Sequence, residues 1–176
     1  MADSLFKVGV LGATGFIGSP YRAEIRECKE AEIVALCARR QDLLAKAARE
    51  DQAKVATQDW REVVEHPDVN LVIVGTPDAL HHEAVVACAA QGKHLLCEKP
   101  VGMNAAEAEE MWGLYRDAQP ALAHFVPFWT RMVGVFEIAK DIVGSGELGE
   151  IVSTVFRWQN PRPATMPLTW RDDPEL

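Results

Sequence analysis

The chain has 176 residues, 48% of them apolar, with a net charge of −8 and a pI near 5.1. That length holds one full domain with a core and part of a second. The acidic balance argues against broad nucleic-acid or anionic-membrane binding, and no apolar run is long enough to cross a bilayer.

The N-terminus lacks the basic start and unbroken apolar core of a signal peptide, since Lys7, Gly9 and Gly12 interrupt it. A cytoplasmic protein is expected. Residues 5–11 form an apolar-rich run of strand length, and Gly12-Ala13-Thr14-Gly15-Phe16-Ile17-Gly18 follows at once. A helix then starts, with Tyr21, Ile25 and Cys28 at spacings of four and three. Strand, glycine turn and helix form the context of a dinucleotide-binding loop. Glycines let the backbone approach a pyrophosphate, and unpaired amides at the helix start point at it. The spacing is GxxGxxG, with Thr14 where a second glycine usually stands. A tight turn before a helix is the competing reading, and Pro20 is an oddity within the first helical turns.

Residues 33–37 read as a second, doubly covered strand. Arg39 and Arg40 follow, about 20 residues beyond the glycine turn, where an acid would hold the ribose 2′-hydroxyl of NAD. Two guanidinium groups there suit a 2′-phosphate, and therefore NADP. A solvated basic helix start is the plainer alternative. Residues 41–50 are helix-forming, 54–57 a short strand, and Asp59 caps a small helix running to His66. Residues 71–74 form another buried strand, releasing Thr76 and Pro77 at its carboxyl end. These two residues either line a nicotinamide or make a turn. Residues 78–91 are expected to be helical, with His81 and His82 near the start and Gly92 as C′ residue.

Lys93 to Cys97 is the next strand, and Glu98, Lys99 and Pro100 leave its carboxyl end. In open parallel sheets the ligand crevice lies at that end. Two adjacent charges taken alone form a surface pair; at this place they are suited to chemistry. Asn104 and Glu107 make a capping box. Ala108, Met111, Trp112 and Tyr115 then line one helical face, expected to be core. Residues 121–126 read as a strand, a second long helix carries Val135, Ala139 and Ile142, and residues 151–159 read as a long strand opening a second domain. Cys28, Cys37, Cys88 and Cys97 have no zinc spacing and are expected to be reduced thiols. The histidines form no ligand set, and no metal is expected.

The stretches VGVLGATGFIG at 8–18, GTPDALHHEAVVACAAQGKHLLCEKPV at 75–101 and RMVGVFEIAKDIVGSGELGEI at 131–151 together resemble the Gfo/Idh/MocA family of NAD(P)-dependent oxidoreductases, the glucose–fructose oxidoreductase and inositol 2-dehydrogenase type. The resemblance implies an α/β fold: a doubly wound parallel-sheet (Rossmann) nucleotide-binding domain over 1–126, then at 127–176 the linking helix and first strand of an incomplete substrate and oligomerisation domain. It implies cofactor contacts at Gly12, Thr14, Gly15, Phe16, Ile17, Arg39, Arg40, Thr76, Pro77, His81, Glu98, Lys99 and Arg131, with NADP preferred over NAD. Lys99 is the expected catalytic residue, its ammonium desolvated in the crevice, and the peptide bond before Pro100 is expected to be cis. The expected partner is a small-molecule sugar or polyol, and a homo-oligomer is expected only with a complete second domain.

The family's Asp-x-x-x-His stretch, whose histidine is commonly the acid–base partner, has no match after Lys99. The resemblance therefore implies a fragment of a longer enzyme, completion by a second chain, or a non-catalytic NADP-binding module for sensing or assembly. A short-chain-dehydrogenase reading, suggested by GATGFIG, fails because neither Tyr21 nor Tyr115 is followed by lysine at the fourth position.

Overall fold

A computed structural model describes residues 5–157 and 159. The chain forms two compact units, Met1–Pro127 and Phe128–Leu176. In the first unit, β1 (Phe6–Leu11), α1 (Gly18–Glu27), β2 (Ala31–Cys37), α2 (Gln41–Asp51), β3 (Val55–Thr57), α3 (Trp60–Val64) and β4 (Leu71–Val74) alternate strictly. A 3₁₀ turn at Asp78–Leu80, α4 (His81–Ala90), β5 (His94–Cys97), α5 (Ala105–Arg116) and β6 (His124–Phe125) complete it. The strands form one sheet in the order β3-β2-β1-β4-β5-β6, and every pairing is parallel. This is a doubly wound Rossmann sheet, and its strand order reverses between β1 and β4.

Two hydrophobic layers cover the sheet. On one side Val34, Val72, Val74, Leu95 and Cys97 pack against Val63, Val64, Val85, Met111 and Tyr115 of α3, α4 and α5. On the other Val8, Val10, Leu36 and Ile73 meet Ile25, Leu44 and Ala47 of α1 and α2. Central strands with both faces buried read as continuous apolar runs for this reason. Gly9 lies where α3 presses on β1, and a Cβ there would stand 2.5 Å from a Val63 methyl.

Several elements depart from expectation. The helix expected from Asp78 starts instead as a 3₁₀ turn, and α-helical geometry begins at His81. The strand expected over 121–126 shrinks to His124–Phe125, an edge pair on the four-residue β5. Trp112 is not core: it is half exposed, with the Arg116 guanidinium 4.5 Å above its ring. Met111 and Tyr115, four residues apart, take the buried line, and the next residue round the helix turns outward. In the capping box, Asn104 accepts from the Glu107 amide at 3.0 Å, but the Glu107 carboxylate reaches the Met103 amide at 2.9 Å, one residue before the cap.

In the second unit, a 3₁₀ turn at Trp129–Met132 leads to α6 (Gly134–Ser145), closed by Gly146 in left-handed geometry with φ 77°. The strand expected over 151–159 does not form within 151–157. A strand is made by its ladder, and residues 151–157 pair with no strand among the described residues, leaving Val152 and Val155 exposed. Trp158 and residues 160–176, which complete that expectation, lie outside the described residues. Among the described residues no helix is long and apolar enough to cross a membrane.

Candidate cofactor site and its lysine

Register brings the site together. Leu11 pairs with both Cys37 and Val74, and Val74 pairs with Cys97, so β1, β2, β4 and β5 end at one level. Whatever follows each strand therefore lies along one rim: Gly12 after β1, Arg39 and Arg40 after β2, Thr76 and Pro77 after β4, Glu98 and Lys99 after β5.

The glycine turn is tied to its neighbours by backbone. The Gly12 and Ala13 amides both donate to the Cys37 carbonyl at 3.0 Å, and the Gly75 amide donates to Leu11 at 3.0 Å. Gly12 has φ 78°, and a Cβ on it would run into the Gly75 carbonyl. Gly18, the first residue of α1, lies so close to the Gly12 carbonyl that a Cβ would overlap it. The first and last glycines are thus demanded by backbone packing, the second less so: a Cβ on Gly15 would be 3.1 Å from the Gly12 oxygen. Within the turn the Gly15 amide is spent on the Gly12 carbonyl at 2.9 Å. The amides of Thr14, Phe16, Ile17 and Gly18 have no hydrogen-bond partner among the described residues. These orphan donors at a helix start, with the positive end of the α1 dipole, favour an anion. Phe16 is 84% exposed at the tip, and Ile17 stands next to the helix start with its side chain 3.7 Å from where a Gly75 Cβ would be. Pro20 is accommodated because it lies in the first turn of α1, where its missing amide breaks no helical bond.

Behind the turn stands Arg22, a buried residue that the sequence did not single out. Its guanidinium reaches the Ala13 carbonyl at 3.5 Å and the Ala47 carbonyl at 3.3 Å. It also pairs with Glu50 at 3.0 Å and with the fully buried Asp51 carboxylate, which Arg26 shares. The arginine so locks the start of α1 to the end of α2. A four-residue approach to the glycine turn was the available signal, but arginine on a helix is ordinarily solvated.

At the β2 end Arg39 and Arg40 are exposed. Arg40 pairs with Asp42 at 3.3 Å, whereas the Arg39 guanidinium has no partner among the described residues. The Arg39 carbonyl accepts from Gln58 at 2.6 Å. At the β4 end the Thr76 hydroxyl oxygen is buried and has no hydrogen-bond partner among the described residues. Thr76 adjoins Gly12: a Gly12 Cβ would stand 3.2 Å from the Thr76 amide nitrogen. Pro77 caps the following 3₁₀ turn.

His81 is fully buried. Its ring nitrogens lie 2.9 Å from the Pro100 carbonyl and 3.0 Å from the Thr76 carbonyl. The ring lies between the β4 exit and the β5 exit, and both nitrogens face backbone carbonyls. A cofactor contact through those nitrogens, as expected from the resemblance, does not match this geometry: the side chain faces inward. Glu98 is also buried, accepting from the Tyr21 hydroxyl at 2.7 Å and from the Lys99 amide at 3.2 Å. Burial and the Glu98 hydrogen bond push the Tyr21 phenol well above its ordinary value. Lys99 is exposed, and the Lys99–Pro100 peptide bond is cis, as expected. Lys99 is not desolvated by the first unit: it is exposed, one residue beyond the buried Glu98. Arg131 belongs to the second unit, in the 3₁₀ turn before α6, beside Trp129 and Met132.

Three observations fit a dinucleotide at this rim: a cradle that side chains at Gly12 or Gly18 would fill, four unspent amides, and the orphaned buried Thr76 hydroxyl. Comparison with known proteins agrees. Levoglucosan dehydrogenase of Pseudarthrobacter phenanthrenivorans is 34% identical over 133 residues, covering 74% of this chain and 33% of that protein. Myo-inositol 2-dehydrogenase of Thermotoga maritima is 30% identical over 164 residues, covering 93% of this chain and 48% of that protein. The chain thus spans a third to a half of the length of these relatives. A solved levoglucosan dehydrogenase complexed with NADH and levoglucosan superposes with a TM-score of 0.70 at 30% identity, covering 82% of this chain and 40% of that one. The family model described as an oxidoreductase family with an NAD-binding Rossmann fold matches residues 6–124. With the glycine turn, the strand order and the Glu98-Lys99-Pro100 exit in place, the chain belongs to the Gfo/Idh/MocA family of oxidoreductases, of which residues 6–124 are the NAD-binding Rossmann part.

Proposed function

We propose that this chain is the cofactor-binding portion of an NAD(P)-dependent dehydrogenase acting on a hydroxyl of a sugar or polyol, with NADP the preferred cofactor. One observation carries the reading: a glycine turn with unspent amides and a Glu98-Lys99 strand exit share one rim of the sheet. The relatives named for levoglucosan and myo-inositol dehydrogenation support the substrate class.

In this reading the Thr14, Phe16, Ile17 and Gly18 amides bind the pyrophosphate. The Thr76 hydroxyl donates to a polar atom of the nicotinamide half, with Pro77 forming the wall beside it. Arg39 and Arg40 grip the 2′-phosphate, Arg39 foremost because Arg40 already pairs with Asp42. When bound, the dinucleotide supplies hydride exchange at nicotinamide C4. Oxidation of a carbinol also releases the hydroxyl proton, which passes to water or to a base outside residues 6–124, while the Lys99 ammonium stabilises the oxygen as negative charge develops on it. Glu98 accepts from a cofactor ribose hydroxyl through lone pairs that Tyr21 leaves open. Arg131 is assigned a cofactor contact on the family resemblance. Division of the chain into a domain over 1–126 and a substrate-domain start over 127–176 belongs to the same reading.

The test is turnover of the intact protein with polyols and aldoses, followed by absorbance of the reduced cofactor. Lys99→Ala is expected to lower kcat by roughly a hundredfold or more. Unchanged turnover would remove Lys99 from the chemistry, and Arg131→Ala with unaltered cofactor affinity would remove that contact.

A further inference from the structure

Glu98 and Lys99 are adjacent and of opposite charge, and they leave the end of β5 on opposite sides, Glu98 buried and Lys99 exposed. No ion pair links them: Lys99 joins no carboxylate among the described residues. The Glu98 carboxylate instead points inward, buried, and receives the Tyr21 hydroxyl at 2.7 Å on one oxygen and the Lys99 amide at 3.2 Å on the other. On the far side of Lys99 the His81 ring lies between the Pro100 carbonyl at 2.9 Å and the Thr76 carbonyl at 3.0 Å, with an N–H to donate to one of them. Lys99 is therefore bracketed, on one side from α1 and on the other from α4.

A buried carboxylate needs compensating donors. Without the Tyr21 hydroxyl, Glu98 keeps only its neighbour's amide, and the ammonium of that same neighbour is a strong donor on the adjoining residue. We infer that Tyr21 is a positioning residue that holds the Glu98 carboxylate away from Lys99, so that the lysine faces the rim as an uncompensated cation available to a ligand. The inference rests on the assignment of Lys99 to the reaction. Tyr21 also couples the site parts directly, because it stands in the first turns of the helix that the glycine turn begins. A dinucleotide seated on that helix start and a lysine released from β5 are thus set relative to one another by a single hydroxyl–carboxylate bond.

The experiment is competitive acetylation of the lysines with N-acetoxysuccinimide, with site rates read by peptide mass spectrometry. Lys29 and Lys46, both exposed, are internal references. Tyr21→Phe keeps the ring and deletes the hydroxyl. Its Lys99 rate is expected to fall about threefold or more against the references, because a paired ammonium gives up its proton less readily. Tyr21→Phe combined with Glu98→Gln is expected to recover the rate, since an amide forms no ion pair; a general loosening of the fold would not be rescued by this second change. An unchanged Lys99 rate in Tyr21→Phe, or no recovery in the double variant, overturns the inference. Protection of Lys99 by NADPH or NADH in the unaltered chain tests the cofactor assignment separately. Its absence would sink that assignment while the ligand-free rates still judge Tyr21.

Discussion

The backbones of Gly12 and Gly75 touch: a Cβ on Gly12 would enter the Gly75 carbonyl, where the ends of β1 and β4 diverge. This contact lies at the point where the strand order reverses, the place at which such sheets open a crevice. Gly12→Ala adds a clash to a left-handed φ of 78°. It is expected to cost more than the ~1–2 kcal/mol of left-handed strain alone and to abolish dinucleotide binding. Gly92→Ala is the control, with φ 64° and open space around it. Urea unfolding of both variants checks the difference; equal losses would mean that the contact is relieved by backbone movement.

Asp51 holds two arginines at the back of the glycine turn, with its own side chain fully buried. Asp51→Ala leaves Arg22 buried without its main partner and is expected to destabilise by ~3–5 kcal/mol. Glu50, the half-exposed partner of the same guanidinium, is expected to contribute ~1 kcal/mol or less. Denaturant midpoints of the two alanine variants give the comparison directly.

Alkaline stability follows from three buried thiols, joined from about pH 10 by the Tyr21 and Tyr115 phenols, which burial also raises and which act with the same sign. Burial raises Cys37 to about 11 and Cys88 and Cys97 to about 12, against 9.0 for a free thiol. Above pH 9 the unfolded chain loses these protons while the folded chain keeps them. The folded state then holds more protons, and stability falls as pH rises. Each thiol contributes a slope of up to about 1.4 kcal/mol per pH unit. Lys93 opposes this, since burial lowers its ammonium and the folded chain gives up that proton first. A net decline is expected between pH 9 and 11, read from urea midpoints at fixed ionic strength. A flat profile over that window would contradict the burial of the thiols.

Under the proposed NADP preference, cofactor choice is expected to depend on Arg39 more than on Arg40, because Arg40 is already paired with Asp42. Arg39→Ala is expected to weaken NADPH binding by roughly tenfold or more while changing NADH binding little. Equal losses for the two cofactors would show that the guanidinium contacts a feature they share.

Much of this site was legible in the sequence because its signals are local. Continuous apolar runs gave the central strands, since Val8, Val10 and residues 71–74 are covered on both faces. Glycines at 12 and 18 mark backbone contacts that tolerate no Cβ. Non-local features were hidden. The Tyr21–Glu98 bond spans 77 positions, and an aromatic at helical spacing looks the same whether or not its hydroxyl has a buried partner. His81 was expected as a cofactor contact because the two backbone carbonyls beside its ring carry no side-chain signature. Trp112 shows the opposite error: a large aromatic on the apolar side of α5 was assigned to the core, although a shift of one position sets it under Arg116. Residues 151–157 have the composition of a strand, but composition supplies no ladder partner.

The turn from Gly12 to Gly18 is proposed to bind the diphosphate of a nicotinamide dinucleotide. Calorimetric titration of the chain with NADPH and then NADH tests it most directly. The account predicts saturable binding at one site per chain, tighter for NADPH and lost in Gly12→Ala. No heat with either dinucleotide, or binding that Gly12→Ala leaves intact, would contradict it.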